Sequence, residues 1–396
     1  MATHIGIGFS QNPDTSRAAK EAAKQAQNQT GQSTADLAIV FNTVHYEASE
    51  ILTSVREILE DTPIVGCSTA GIILSEGIHM HGIAVLAIHS DDIRFGVGSV
   101  EEKILSTDIR QGGSMLAKSA LNDFGHHRRQ AFICFTDGLL ENNATIIKGL
   151  QEIFGAIFPV IGAGSSDDFR FQKTYQYYQK NVLTKGATGF LIGGQLTLGI
   201  SSRHGWKPVG KPRFITQSND HIIKTIDGKK ACSIYEEYFG EYTQDLHSQK
   251  FGQMTILYPL GIYIEEEDEY LLRNAVDLLP DGSILCQGEV PQGAEIHIML
   301  SNKDSCKQAA VEAATEARNA LAGKVPRLVL IFESLTRHKL LGRGGFKEIQ
   351  LIQEVLGAKT PLLGMYSHGE ISPFHSIEHI KKTHLQNASI LILAIG

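Results

Sequence analysis

The sequence predicts an α/β protein made by repetition. Strand–helix units form mostly parallel or mixed sheets covered by helices, with a different segment inserted near 204–294. Three observations carry this. TPIVGCSTAG (62–71), FPVIGAGSSD (158–167) and TPLLGMYSHG (360–369) are versions of one ten-residue corner. An apolar run and then an amphipathic helix precede each corner. A near-continuous apolar run of strand length follows each after a variable loop, the pattern of strands buried on both faces. Internal repetition of this kind takes precedence over any local reading.

The first unit opens with HIGIGFS, a short β-type run ending in a polar turn. Asp14 to Ser16 supply N-cap residues for the Ala-rich helix TSRAAKEAAKQAQ, and DLAIVFNT is the next strand. ASEILTSVREILE follows as an amphipathic helix, then the first corner, then the strand HGIAVLAIHS. The second unit runs RFGVGSVEEK, GGSMLAKSALNDF, QAFICFTDG, NATIIKGLQEIF, its corner and TGFLIGGQL. The third reads EIHIMLSNKDS, CKQAAVEAATEARNAL, PRLVLIFE, GFKEIQLIQEVLG, its corner and ASILILAIG. The central strands end at Phe41, Phe135 and Phe332. Strand–helix–strand alternation predicts helices packed on a sheet. The segment at about 204–294 breaks the pattern. HGWKPVGKPR marks its boundary, short β-like pieces and an IDGKK turn follow, and YEEYFGEY reads as an amphipathic helix. The acidic run Glu265–Glu269 reads as a solvated loop.

Composition narrows the function classes. The 396 residues are 42% hydrophobic and 20% charged, ordinary for a globular chain long enough for two or more domains. A net charge of −7 without a basic block disfavours a nucleic acid partner. Cys67, Cys134, Cys232, Cys286 and Cys306 are scattered and odd in number, with no CxxC, which fits a reducing compartment. MATHIGIGFS has no basic n-region or long apolar core, and no apolar run approaches the ~18–20 residues of a membrane span. A cytoplasmic protein with no membrane partner is expected.

Aligned on Pro63, Pro159 and Pro361, the corners carry Gly at the third following position. Thr69, Ser165 and Ser367 stand at the sixth, and Gly71, Asp167 and Gly369 at the eighth. Proline at a strand start loses no needed donor. The first glycine permits a turn or a close approach. The hydroxyl falls past the strand's C-terminal end, the edge at which open α/β sheets bind ligands. Turns also need Gly and Ser, but the variable corner positions are chemically rich. Ser68, Thr69, Gly71, Ser165, Ser166, Tyr366, Ser367 and Glu370 are therefore candidate ligand-binding residues. Ser334 and Arg337 follow the third central strand, where an arginine fork can clamp a carboxylate.

VGCSTAGII after the DLAIVF strand, HGWKPVG, IDGKKACSIYEEYFG, ESLTRHKLLG and GMYSHGEI together resemble FIST proteins, over roughly residues 30–380. The resemblance implies an N-terminal FIST region (1–204, two repeats) and a C-terminal one (205–396, the insert plus the third repeat). It implies a sensory module that binds a small ligand and signals onward, here of the stand-alone type. Stand-alone FIST proteins include haem-based nitric oxide sensors, the NosP group, that partner a histidine kinase. The resemblance therefore implies haem b as a cofactor, nitric oxide as the signal and a kinase or similar protein as partner. It leaves a homodimer open.

A b-type haem needs one histidine on iron and an apolar pocket. His368, His204 and His45 are alternative ligands, the first two at expected site edges. A metal without haem has weaker support: His375, Glu378, His379 and His384 cluster, and His79 and His81 form HMH, without motif-like spacing. The alternative binding function is a haem-free amino-acid sensor using Arg337. The alternative from another class is a hydrolase or transferase using Cys67 or a corner serine. GCSTAG is not a nucleophile elbow, so no enzyme is the preferred expectation. GIG (6–8) and LGRGG (341–345) are incomplete phosphate-binding patterns.

Overall fold

In the computed structural model, described over residues 3–140, 142–240, 255–265, 268–373 and 382–396, the three units form three six-stranded sheets around a shared core. Each sheet has the same plan. In the first, Thr3–Ser10 opens, Leu37–Thr43 is central, Ile64–Thr69 is the corner strand and Ile83–Ser90 closes. The second uses Ile93–Val100, Arg129–Asp137, Val160–Ser165 and Ala187–Gly194. The third uses Leu198–Arg203, Leu328–Ser334, Leu362–Ser367 and Ile390–Ile395. Only the central and corner strands run parallel; every other pairing in these sheets is antiparallel. The sheets are thus mixed.

Side chains alternate across each strand, and that period assigns the faces. Leu37, Ile39 and Phe41 point into the shared core, whereas Ala38 and Val40 face the helices Thr15–Thr30 and Ala48–Leu59. The second sheet is covered likewise by Ile109–Phe124 and Asn143–Phe154, and the third by Lys303–Ala320 and Gly345–Leu356. At the centre the phenylalanines two residues before the ends of the three central strands meet; the strands run past the expected ends at Phe41, Phe135 and Phe332 to Thr43, Asp137 and Ser334. Phe135 lies edge-on to Phe41 at 5.5 Å and to Phe332 at 6.0 Å, geometry that aromatic pairs favour.

After each corner strand the chain leaves its own sheet. The hairpin Ile72–Leu74/Gly77–His79 of the first unit pairs with Leu362–Ser367 of the third. Gln176–Tyr178/Asn181–Leu183 of the second pairs with Ile64–Thr69 of the first. Glu370–Pro373/Thr383–Gln386 of the third pairs with Val160–Ser165 of the second. The exchange is cyclic, so each sheet's outer two strands come from a neighbouring unit.

One expectation is corrected. EIHIML (295–300) does not open the third sheet; it pairs with Lys207–Asn219 and Leu260–Ile264 inside the insert's own sheet. The opening strand is Leu198–Arg203, which pairs with Ile390–Ile395. Gly199 lies so close to the helix Lys303–Ala320 that an added Cβ would sit 1.9 Å from the Ala317 carbonyl oxygen. The insert therefore interrupts the third unit after its first strand. It holds a seven-strand path from Glu269–Arg273 to Ala275–Leu278, plus the short Lys229–Lys230, around its own core.

The corner glycines follow from strand spacing. A Cβ on Gly66, Gly162 or Gly364 would stand 2.0, 1.9 or 2.8 Å from the carbonyl oxygen of Val40, Cys134 or Ile331 on the parallel neighbour. Gly162 also has φ +142. Gly162→Ala should lower the unfolding free energy by at least ~3 kcal/mol in urea titrations. Gly228→Ala, at φ +74 with nothing within 4 Å, should lower it by only ~1–2 kcal/mol.

Candidate ligand cleft

Each corner begins with an equivalent ladder bond. Pro63, Pro159 and Pro361 accept through their carbonyls from Ala38, Phe132 and Val329 N–H at 2.8, 2.9 and 2.9 Å. The missing proline N–H costs nothing there. Past the strand ends, the three corners bond to one another. Thr69 and Ser166 hydroxyls both donate to the Tyr366 carbonyl, at 2.7 and 2.5 Å. Ser166 N–H donates to Ser68 O at 3.1 Å, Gly164 N–H to Gly369 O at 2.8 Å, and His368 N–H to Gly164 O at 3.1 Å. Tyr366 N–H closes the ring onto Gly71 O at 3.0 Å. The corners converge.

Convergence places most of the expected ligand hydroxyls inside the protein. Ser68 Oγ donates to Ser166 O and accepts from Tyr175 N–H. Ser165 Oγ bonds Thr136 O, Thr174 and Gln176. Tyr366 is buried with its ring 4.5 Å from His338. Glu370 is buried, accepting from Ser367 Oγ (2.5 Å) and Ser389 Oγ (2.8 Å). Burial pushes its pKa up to about 7 against those hydrogen bonds.

One corner borders open space. A cleft of ≈ 500 Å³ lies between the second unit, the third unit and the insert. Its walls come from Gly138–Leu140 after the second central strand, Phe169–Phe171 after the second corner, Ser334–Thr336 and Ser367–Gly369 of the third unit, and Asn274–Val276 with Leu285–Gln287 of the insert. Most are apolar. Ser334 also caps its own helix, accepting from Thr336 N–H, and accepts from Ala388 N–H.

His368 is the cleft's most chemically equipped side chain. It is 6% exposed, and its Nε2 lies 3.4 Å from Asp167 Oδ1. Phe171, 50% exposed, stacks on its face at 4.8 Å. Asp167 carries this arrangement. Its two oxygens accept from Phe171 N–H (3.0 Å) and Gln172 N–H (2.8 Å). Those bonds hold an arch in which Phe169 and Phe171 both adopt positive φ, +67 and +52, conformations bulky residues rarely take. Burial would raise the Asp167 pKa, but His368 and the two amides overcome it and bring it to about 2.

The other expected residues lie apart. His204 borders a separate, polar cleft, with Nε2 on Glu269 (3.1 Å) and Nδ1 accepting from Trp206 N–H (2.9 Å). His45 is exposed at the end of the first central strand, against His81 and Thr43. His375, Glu378 and His379 lie outside the described residues. Among the described residues no cluster of three or more His, Cys, Asp or Glu could hold a metal ion.

Arg337 is corrected most sharply. Rather than lying at an open edge, it is fully buried. Its guanidinium bonds Glu333 and Glu348 and the carbonyls of His204 and Cys306. Burial and the Glu348 charge hold Glu333 well above the carboxylate range. The fork has no place for a ligand carboxylate. Cys67 is also buried, its thiol 3.5 Å from Met365 sulfur and pushed well up by burial, the reverse of an activated thiolate.

Sequence reasoning missed Asp167, Phe169, Phe171, Asn274 and Gln287. One signal was available: Asp167 occupies a position where the other two corners have glycine.

Comparison with known proteins now bears on identity. Residues 36–229 match the FIST N domain and residues 231–373 the FIST C domain. The chain belongs to the FIST family. FIST domains are small-ligand sensor domains of signal transduction. Uncharacterized protein Rv0628c of Mycobacterium tuberculosis (strain ATCC 25618 / H37Rv) is 24% identical over 380 residues, covering 93% of this FIST chain and 94% of the relative. Uncharacterized protein Mb0898c of Mycobacterium bovis is 22% identical over 385 residues, with the same coverage of each. Among solved structures, cyanuric acid hydrolase from A. caulinodans aligns over 100% of this chain and 99% of its own at TM-score 0.40 and 7% identity, too distant to bear on chemistry. No described helix is long and apolar enough to cross a membrane.

Arg337→Met leaves two buried carboxyls without their cation. It should cost ~3–5 kcal/mol in urea unfolding. Adding Glu333→Gln and Glu348→Gln should recover at least half of that loss.

Proposed function

We propose that this FIST protein senses a small ligand held in the cleft at His368, and that the ligand is haem, with nitric oxide as signal and a histidine kinase as partner. The observation that supports this reading most is the setting of His368. It is the one among the three candidate histidines that combines an apolar cleft with a carboxylate at one ring nitrogen. A metal-ligating histidine is commonly supported by such a carboxylate. His204 has both ring nitrogens engaged in a charged cleft, and His45 is exposed. The residues therefore fit haem, with His368 as its ligand, Asp167 orienting that ring, and Phe169, Leu139 and Leu335 as apolar walls. Bound haem supplies an iron that takes nitric oxide.

The amino-acid reading loses ground because Arg337, its carboxylate partner, is spent inside the protein. The Cys67 form of the hydrolase or transferase reading loses ground because Cys67 is away from the cleft and burial pushes its thiol up; of the corner serines, Ser367 lines the cleft but its hydroxyl is engaged by Glu333 O and Glu370.

The cleft's make-up suggests how binding is reported. Its walls belong to two units and the insert, so a ligand touching all three favours one seating of the insert over others. The insert joins the third unit through His204–Trp206 and Ser301–Asn302, and Ser301 Oγ bonds Gly205 O at 2.7 Å across the two connections. Arg337 reaches both sides, at His204 O and Cys306 O. The helix that carries it, Leu335–Leu341, starts at the cleft wall.

Purified protein mixed with haem should develop a Soret band, and His368→Ala should weaken haem binding at least ~100-fold. His204→Ala and His45→Ala should keep the band. An unchanged band in His368→Ala overturns the assignment, and its absence from wild type overturns haem as the ligand.

A further inference from the structure

A third cleft lies where the insert meets a helix of the second unit and a strand of the third. It has a volume of ≈ 210 Å³, room for about seven waters at ~30 Å³ each. Helix Asn143–Phe154 forms one wall, the insert strands Leu260–Ile264 and Glu269–Arg273 another, and the strand Thr383–Gln386 a third. Ile147, Ile262 and Leu271 make it apolar, Arg273 and Lys382 bring positive charge, and Lys148 and Glu289 line it as an ion pair.

Arg273 is the unusual member. It is 3% exposed. Its Nε donates to Glu289 O at 2.8 Å, and Nη1 donates to Leu272 O and Leu385 O at 2.9 and 3.0 Å. All three partners are carbonyls. Among the described residues Nη2 has no hydrogen bond and no carboxylate forms an ion pair with the guanidinium, because the nearby Glu289 carboxylate pairs with Lys148. A buried charge is ordinarily matched by a counter-charge. The effects on neighbours agree: burial, then the charges of Arg273 and Lys382, bring His384 down to about 4.

We propose that this cleft binds a small carboxylate with a hydrocarbon body, its head on Arg273 and Lys382 and its chain against Ile147, Ile262 and Leu271. The two unpartnered N–H groups of Nη2 suit a carboxylate head, the favoured partner of a guanidinium fork. The apolar walls favour an acid with a hydrocarbon body over a bare inorganic anion, which would leave that apolar surface uncovered. The site is separate from the one at His368, although the chain joins them directly: Asn274, next to Arg273, lines the larger cleft.

Hexanoate and inorganic phosphate are the probes, with the melting temperature of the full chain as readout. Hexanoate up to ~10 mM should raise the melting temperature saturably. Lys382→Ala, at an exposed position, should weaken hexanoate binding about tenfold, and Arg273→Lys should weaken it further. Phe171→Ala, in the other cleft, should leave it unchanged. Should Arg273→Lys not fold, Lys382→Ala decides alone. The proposal is overturned if hexanoate does not shift wild type, if Lys382→Ala responds like wild type, if Phe171→Ala abolishes the response, or if phosphate acts as strongly as hexanoate.

Discussion

The carbonyl oxygen of Tyr366 is where the three units of this protein meet. It belongs to the third unit and accepts from Thr69 of the first and Ser166 of the second. The rest depends on this contact. A buried carbonyl needs a partner, and here two hydroxyls from different units supply it. The requirement fixes how the corners sit against one another. It engages the hydroxyls of Thr69 and Ser166, while Ser165 and Ser367 are engaged at Thr136 O and at Glu333 O and Glu370, so these corner hydroxyls are unavailable to a ligand.

Around that junction the hairpin exchange does the larger mechanical work. Each unit completes the sheet of another, so no unit keeps all its strands if the ring opens. The shared core, centred on Phe41, Phe135 and Phe332, is buried only when all three sheets are present. An interlocked ring of this kind is a rigid frame. The insert stands on it through two chain connections and walls the cleft that Ser367–Gly369 of the third corner borders. A rigid frame with one separately seated wall suits a sensor, because a ligand that touches both shifts their relation through its differential affinity.

The repeat itself was legible because burial on both strand faces and the corner spacing leave a strong periodic trace. The corner glycines were legible for the right reason, since parallel strands approach too closely there for a side chain. The third unit's first strand was not. EIHIML has the stronger β pattern, yet LGISSR takes the place, and the deciding feature is Gly199 packed under Ala317, a small signal beside an apolar run. The hairpin exchange left no trace, because a strand's sequence records its burial but not which sheet it joins. Arg337 misled for a related reason: a cation at a strand end looks exposed until the chain brings Glu348 from another helix onto it. The insert's wall of the cleft has no counterpart in the other units, so repetition could not point to it.

The central claim is that the three corners form one closed junction in the folded protein. Native-state hydrogen exchange resolved to single amides tests it most directly. The amides of Gly164, Ser166, Tyr366 and His368 all donate across unit boundaries. They should exchange only through global unfolding, as slowly as amides of the central strands. Exchange of these four through local opening, with the central strands still protected, would contradict the account.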